Sequence, residues 1–305
     1  MINKEELGLR IRKERENQGL SREALCGDEA ELTVRQLLRI ETGKSLPKLE
    51  KLEFLSRVLG IDISTFLGEE RLELPADYLE KKYRLLKTGT HGDPERIAHK
   101  RKALEKIYEN YYDILPEEEL FILDVLERLW DIASGVNLDD SMSADVIYED
   151  YFRQLQEKEV YSTNDLLLLS YHYFFSQNYS QDDRKAIQLV DRLLSQKISG
   201  DEIYNRVLLS TLLLLISIQV ALRDYGELLR VINRVEQVIE ETKQYTGKPV
   251  ILLTKARYSL FVEGDVEQAN QFYDQAKLLG ELLDDKLFLQ QLEIEKENDF
   301  KQKEE

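Results

Sequence analysis

From residue 76 onward the chain is a succession of amphipathic runs of roughly 12 to 20 residues, and no stretch alternates apolar with polar residues as a half-buried strand does. Such a chain can bury its apolar stripes only by packing helix on helix. Breaks fall near residues 89–94, 114–116, 135–143, 162–164, 178–183, 199–201, 247–249 and 264. Turn formers are otherwise scarce, with 14 Gly and 5 Pro in 305 residues, which favours long helices. The fold class is all-α.

The first 67 residues are punctuated differently. Leu7, Leu9 and Ile11 lie in a short charged helix that Gly19 can end, and Ser21 can cap a second helix. Thr33 and Gln36 have the spacing of a capping box and open a third helix, which Gly43 closes. Pro47 precedes a fourth helix over 49–59, Gly60 ends it, and 62–67 supplies a short fifth. The pieces SREAL (21–25), TVRQLLRIE followed by Gly43, and Leu46-Pro47 resemble the phage-repressor-like helix-turn-helix family. The resemblance implies a five-helix lambda-repressor-like domain over 1–67 that lays its third helix in the major groove. Thr33, Arg35 and Gln36 then stand exposed near the start of that helix, with Arg39 one turn on. Arg pairs with guanine and Gln with adenine through two hydrogen bonds each. Ser21, Arg22 and Lys51 are placed for phosphates, which fix register without reading sequence.

The polar segment 68–75 ends in Pro75 and reads as a linker. Residues 76–292 read as an α-solenoid of tetratricopeptide-like helix pairs, its last helix serving as a cap or dimerisation element. Ala269, Tyr273 and Ala276 have the small–aromatic–small spacing of a tetratricopeptide second helix; Ala186, Val190 and Leu193, and Leu228, Ile232 and Val235, share it. Their starts lie about 40 residues apart, a period that suits stacked helix pairs. An irregular helical bundle is the alternative. The charged tail 293–305 is expected to fray.

Charge divides along the same line. Residues 1–66 carry 12 basic and 12 acidic residues, so the whole net charge of −17 lies beyond them. A neutral DNA-binding domain predicts modest affinity per half-site, and therefore a homodimer on a two-fold operator. Glu117, Glu118 and Glu119 follow Pro116 at a helix start, where carboxylates are favourable in any case; they could also mask Arg35 and Arg39 when no ligand is bound.

Chemistry is not expected. The histidines are His91, His99 and His172, scattered without metal-ligand spacing, and Cys26 is the only cysteine. Gly43-Lys44-Ser45 lacks the earlier glycine of a P-loop, since position 38 is Leu. No metal, no cofactor and no enzyme activity are expected. The charged N-terminus has no signal-peptide core, and the apolar stretch 207–221 reads as a core helix too short and polar to span a bilayer. Together these imply a cytoplasmic protein away from membranes.

The segments LGLRIRKERENQGLSREALC, AELTVRQLLRIETGKSLP, ILPEEEL (114–120) and STNDLLLL (162–169) resemble the ComR group of Rgg-type regulators. That resemblance spans nearly the whole chain. It implies a short imported signalling peptide as ligand, bound on the concave face of the repeat domain, followed by dimerisation and activation of competence genes. By it, Arg35 and Arg39 touch DNA, Glu117 and Glu118 belong to the resting-state clamp, and Thr90, Lys100, Phe174, Asn205 and Lys248 are groove candidates. Lys100 sits in a basic cluster with Arg96, Arg101 and Lys102 that could capture a carboxylate. A ligand-relieved repressor, or a solenoid adaptor that binds proteins rather than DNA, remains open on the sequence.

Overall fold

The first three helices begin where a side chain can satisfy the backbone donors that a helix start leaves open. Asn3 accepts from the amides of Glu5 and Glu6 to start α1 (Lys4–Asn17). The Ser21 hydroxyl accepts from the amide of Ala24 at α2 (Arg22–Cys26), and Thr33 and Gln36 form a complete capping box on α3 (Val34–Glu41). Then come α4 (Leu49–Leu59), closed by left-handed Gly60, and α5 (Ile63–Leu67). Leu7, Ile11, Leu25, Leu32, Leu37, Ile40, Leu52, Leu55 and Phe66 form their shared core. α1 crosses α3 so closely that a Cβ on Gly8 would lie 2.2 Å from the Ile40 carbonyl oxygen, which only glycine tolerates. Glu41 is buried and takes hydrogen bonds from Arg15 (2.6 and 3.1 Å) and Arg22 (2.7 Å), tying α1, α2 and α3 together.

The computed structural model describes residues 3–67, 74–87, 93–135, 146–176, 184–221, 223 and 225–304. Among them all regular structure is helical. Two compact units emerge, Met1–Glu159 and Val160–Glu305. The division does not fall at 68–75: the first unit also takes in α6 (Ala76–Lys87), α7 (Pro94–Tyr111), α8 (Glu117–Ala133) and α9 (Val146–Glu157), because α8 and α9 are bonded to α3 and α4. Residues 68–73 of the expected linker lie outside the described residues.

The second unit holds α10 (Thr163–Ser176), α11 (Arg184–Ser195), α12 (Glu202–Ala221), α13 (Leu228–Thr242), a 3-10 turn at Tyr245–Gly247, α14 (Lys248–Tyr258), a π-helical turn at Ser259–Glu263, α15 (Val266–Leu282) and α16 (Lys286–Glu304). The tetratricopeptide-like positions Leu228, Ile232, Val235, Ala269, Tyr273 and Ala276 are all buried. Small side chains at 269 and 276 let α14 and α15 approach, and Tyr273 of α15 packs on Phe300 and bonds Asp299 of α16. Two further breaks, at 225–227 and 283–285, are not among those read from the sequence; Asp284 takes the second with a positive φ of 52°.

Two expectations need correction. α12 is 20 residues long, and by length and composition it is apolar enough to cross a bilayer; 67% of its apolar window is nevertheless buried, as befits a core helix. The tail does not fray. Asp299 accepts from Arg257 Nε (2.7 Å) and Tyr273 Oη (2.7 Å), Lys303 donates to the Leu260 carbonyl, and Phe300 packs on the Tyr273 cluster, so the charged segment is docked as the end of α16.

Candidate nucleic-acid interface

α3 carries the expected base-reading side chains, and α8 and α9 cover them. Arg35 donates through Nη2 (2.8 Å) and Nη1 (3.4 Å) to Glu117 and through Nε to Asp150 (2.6 Å). Arg39 also donates to Glu117. Lys48, just before α4, bonds both Glu118 and Glu119 at 2.8 Å. Behind Glu119 stand Lys82 and the Tyr78 hydroxyl of α6, each at 2.6 Å. Three cations of the helix-turn-helix and the α6 lysine therefore face a carboxylate array on α8 and α9.

Electrostatics accounts for the ionisation states. Burial alone would raise the Glu117 carboxyl, but the hydrogen bonds and charges of Arg35 and Arg39 outweigh it and hold the group below the usual carboxylate range. Glu118 is held down against burial by Lys48 and Lys51, and Glu119 further still by Lys82 and Lys48. Lys48 is raised in return, its glutamates outweighing burial. Lys51 behaves in the opposite sense. It is buried with its ammonium 4.8 Å from the Tyr151 ring centre, and burial pushes it down to about 8.

Several sequence expectations fail in this state. Thr33 and Gln36 are not exposed; they are 1% and 2% accessible, because α9 lies over them. The Thr33 hydroxyl donates to Asp150 (3.0 Å), and Gln154 donates to the Gln36 side-chain oxygen (3.0 Å). Lys51 is under Tyr151 instead of at the surface, and Arg22 is committed to Glu41. Ser21 serves as the α2 cap. Of the clamp, Glu117 and Glu118 were legible from their run after Pro116. Lys48, Asp150, Tyr151 and Gln154 were not, since only tertiary packing brings α9 to α3.

The groove candidates scatter. Thr90 and the Phe174 side chain lie outside the described residues. Lys100 is buried, donates to the Leu85 carbonyl and stands over the Trp130 ring, and burial pushes it down to about 8. Its expected cluster does not converge: Arg101 pairs with Glu127 and Asp131, and Arg96 with Asp93. Asn205 spends both ends of its amide on the backbone of Ser199 (2.9 and 2.7 Å), bracing the turn before α12. Lys248 lies near Glu240 and Tyr245. The second unit has a recess of about 570 Å³ among α12, α14 and α16, with Tyr225, Phe261, Phe288, Arg257 and Glu295 on its walls. Lys100, Asn205 and Lys248 do not line it.

The ComR tetratricopeptide family model matches residues 75–296, and a helix-turn-helix model matches 11–66. The chain belongs to the ComR family. Among solved ComR structures, the apo competence regulator from Streptococcus vestibularis is 39% identical, covers 98% of this chain and 99% of its own, and superposes with a TM-score of 0.88. Apo ComR from S. thermophilus gives 37% identity, coverage of 97% and 99%, and a TM-score of 0.86. The S. thermophilus protein in complex with DNA and its signalling peptide ComS is 38% identical, with coverage of 96% and 99% and a TM-score of 0.65. No curated protein matches the chain. ComR membership accounts for the all-α order seen here, a helix-turn-helix followed by tetratricopeptide-like helices.

Proposed function

We propose that this chain is a peptide-activated transcription regulator of competence, acting in the cytoplasm. Residues 1–67 bind DNA, 68–75 link, and 76–292 sense a short signalling peptide, as ComR from S. thermophilus is described with ComS and DNA and ComR from S. vestibularis with XIP. One observation carries the reading: the side chains suited to base edges and phosphates, Thr33, Arg35, Gln36, Arg39, Lys48 and Lys51, are those that α8 and α9 engage. The same atoms cannot serve the clamp and a DNA duplex together. The better superposition on apo forms than on the complex supports reading the clamped state as the ligand-free one.

Peptide acts by population shift. It must bind the released form more tightly than the clamped form, or it shifts nothing. Released domains then dock as a homodimer on two-fold related half-sites, with Arg35 and Arg39 at base edges and Ser21, Arg22 and Lys51 toward phosphates. Phe174, Thr90 and Lys248 remain groove candidates, and the recess beside Phe261 offers aromatic walls of the sort that peptide side chains fill. The test is operator binding with and without a panel of short peptides across a salt series. Peptide-dependent binding that weakens steeply with salt supports the proposal. Binding with no peptide dependence, or none at all, refutes it.

A further inference from the structure

We infer that α9 is a second, separate lock on the recognition helix, built as a decoy for a DNA half-site, with Asp150 in the role of a base-edge acceptor and Gln154 in the role of a base-edge donor. The inference rests on the masking reading above and assigns roles to residues outside the α8 glutamates.

Three observations carry it. Asp150 is buried, and one of its oxygens, Oδ2, accepts from both the Thr33 hydroxyl (3.0 Å) and Arg35 Nε (2.6 Å). A hydroxyl and an arginine in the first turn of a recognition helix are a pair of donors that the acceptor edge of a guanine would satisfy equally well. Gln154 is one helical turn further along the same face and donates to Gln36 Oε1 (3.0 Å), an amide-to-amide bond resembling the one glutamine makes with adenine. The imitation is incomplete: Gln36 Nε2 is buried without a hydrogen-bond partner, so the donor half of its amide is unspent under α9. An adenine edge would use both halves, which tilts this contact toward DNA once the domain is free.

Third, α9 holds a different part of the helix-turn-helix from α8. Glu117 and Glu118 hold Arg39 and Lys48, toward the end of α3 and beyond it; both helices share Arg35. Arg153, on the same face of α9, bonds Asp150 Oδ1 (2.9 Å) and reaches Glu29 in the turn before α3 (3.3 Å). Both Asp150 oxygens are thus engaged, and the lock extends from the α2–α3 turn through the first turn of α3. Loss of α9 contacts leaves the α8 pairs to hold Arg35, Arg39 and Lys48 alone, so the clamped state weakens and the released fraction grows.

The experiment measures operator binding by the full-length chain without peptide, beside its thermal melt. Asp150→Asn should raise peptide-free affinity about tenfold, the scale of one lost charge-assisted bond. Because Asp150→Asn could unfold the chain, a surface pair provides the decisive arm. Arg153→Glu should also raise it, by repelling Glu29 and Asp150, and adding Glu29→Arg should bring it part of the way back by rebuilding the Glu29-side pair, with Glu29→Arg alone as the control for added charge. Glu117→Gln reports the masking reading independently. If Glu117→Gln raises affinity while folded Asp150→Asn and Arg153→Glu do not, or the Glu29–Arg153 swap brings no return toward wild type, the α9 lock is overturned and masking stands. If none of the three raises it, both fall.

Discussion

Replacing Glu117 by glutamine should open the clamp without altering its shape. The carboxylate takes two hydrogen bonds from the Arg35 guanidinium and one from Arg39, and its side chain is only 11% exposed. Where water is excluded, a hydrogen bond to a charged group contributes about 1.5–3 kcal/mol. The Arg39 half is worth less, since Arg39 is 37% exposed and its pair is screened. Glutamine retains one carbonyl oxygen for Arg35 Nη2 but turns its NH2 toward Arg39, so the charge and the weaker, screened Arg39 bond are lost together, about 2 kcal/mol. Only the released fraction binds operator, so peptide-free affinity should rise by up to about 30-fold, levelling off once most of the protein is open. Fluorescence anisotropy with a labelled operator duplex measures this directly, and a thermal melt shows whether the fold survived. Unchanged peptide-free affinity in a variant that melts normally would refute the clamp argument.

Other consequences follow from the same geometry. Lys51 sits at about 8 in the clamped state, under Tyr151 and facing Glu117, Glu118, Lys48 and Lys158, against about 10.4 when solvated. The released form then holds the proton more tightly, so clamping strengthens as pH rises from 7.5 to 9.5, and peptide-free operator binding should fall by about tenfold over that window; Lys51→Met should flatten the profile. Lys82→Met leaves the buried Glu119 with one fewer cation and should lower unfolding stability by about 3 kcal/mol in urea titrations. Asp299→Asn removes the charge that Arg257 and Tyr273 share and should undock α16, seen as faster tryptic cleavage at Lys296 and Lys301.

Local chemistry explains which parts of this molecule were legible in its sequence. Caps at Ser21 and Thr33 and the left-handed Gly60 act within one turn of chain, so the short helices of the N-terminal domain could be placed from neighbours alone. The same holds for the buried 228/232/235 and 269/273/276 positions, which follow helical periodicity. The end of α16 misled because its composition is polar throughout, while its docking depends on Asp299 meeting Arg257, 42 residues earlier in the chain. The site shows the same contrast. Glu117 and Glu118 announce themselves beside Pro116, whereas Asp150 and Gln154 look like ordinary polar positions on an exposed helix face. Their partners lie more than 110 residues away, and that distance carries no local signature. Asn205 shows the reverse case: an amide suited to a peptide backbone in principle bonds the backbone of Ser199 in this structure.

The central claim is that one face of the helix-turn-helix serves either α8 and α9 or DNA, never both. Carboxyl footprinting by carbodiimide labelling and mass spectrometry tests this in the intact chain. Glu117 and Asp150 should resist labelling in the free protein and become reactive when operator duplex is bound. If they stay protected in the DNA complex, the two surfaces do not compete and the clamp is not the control point.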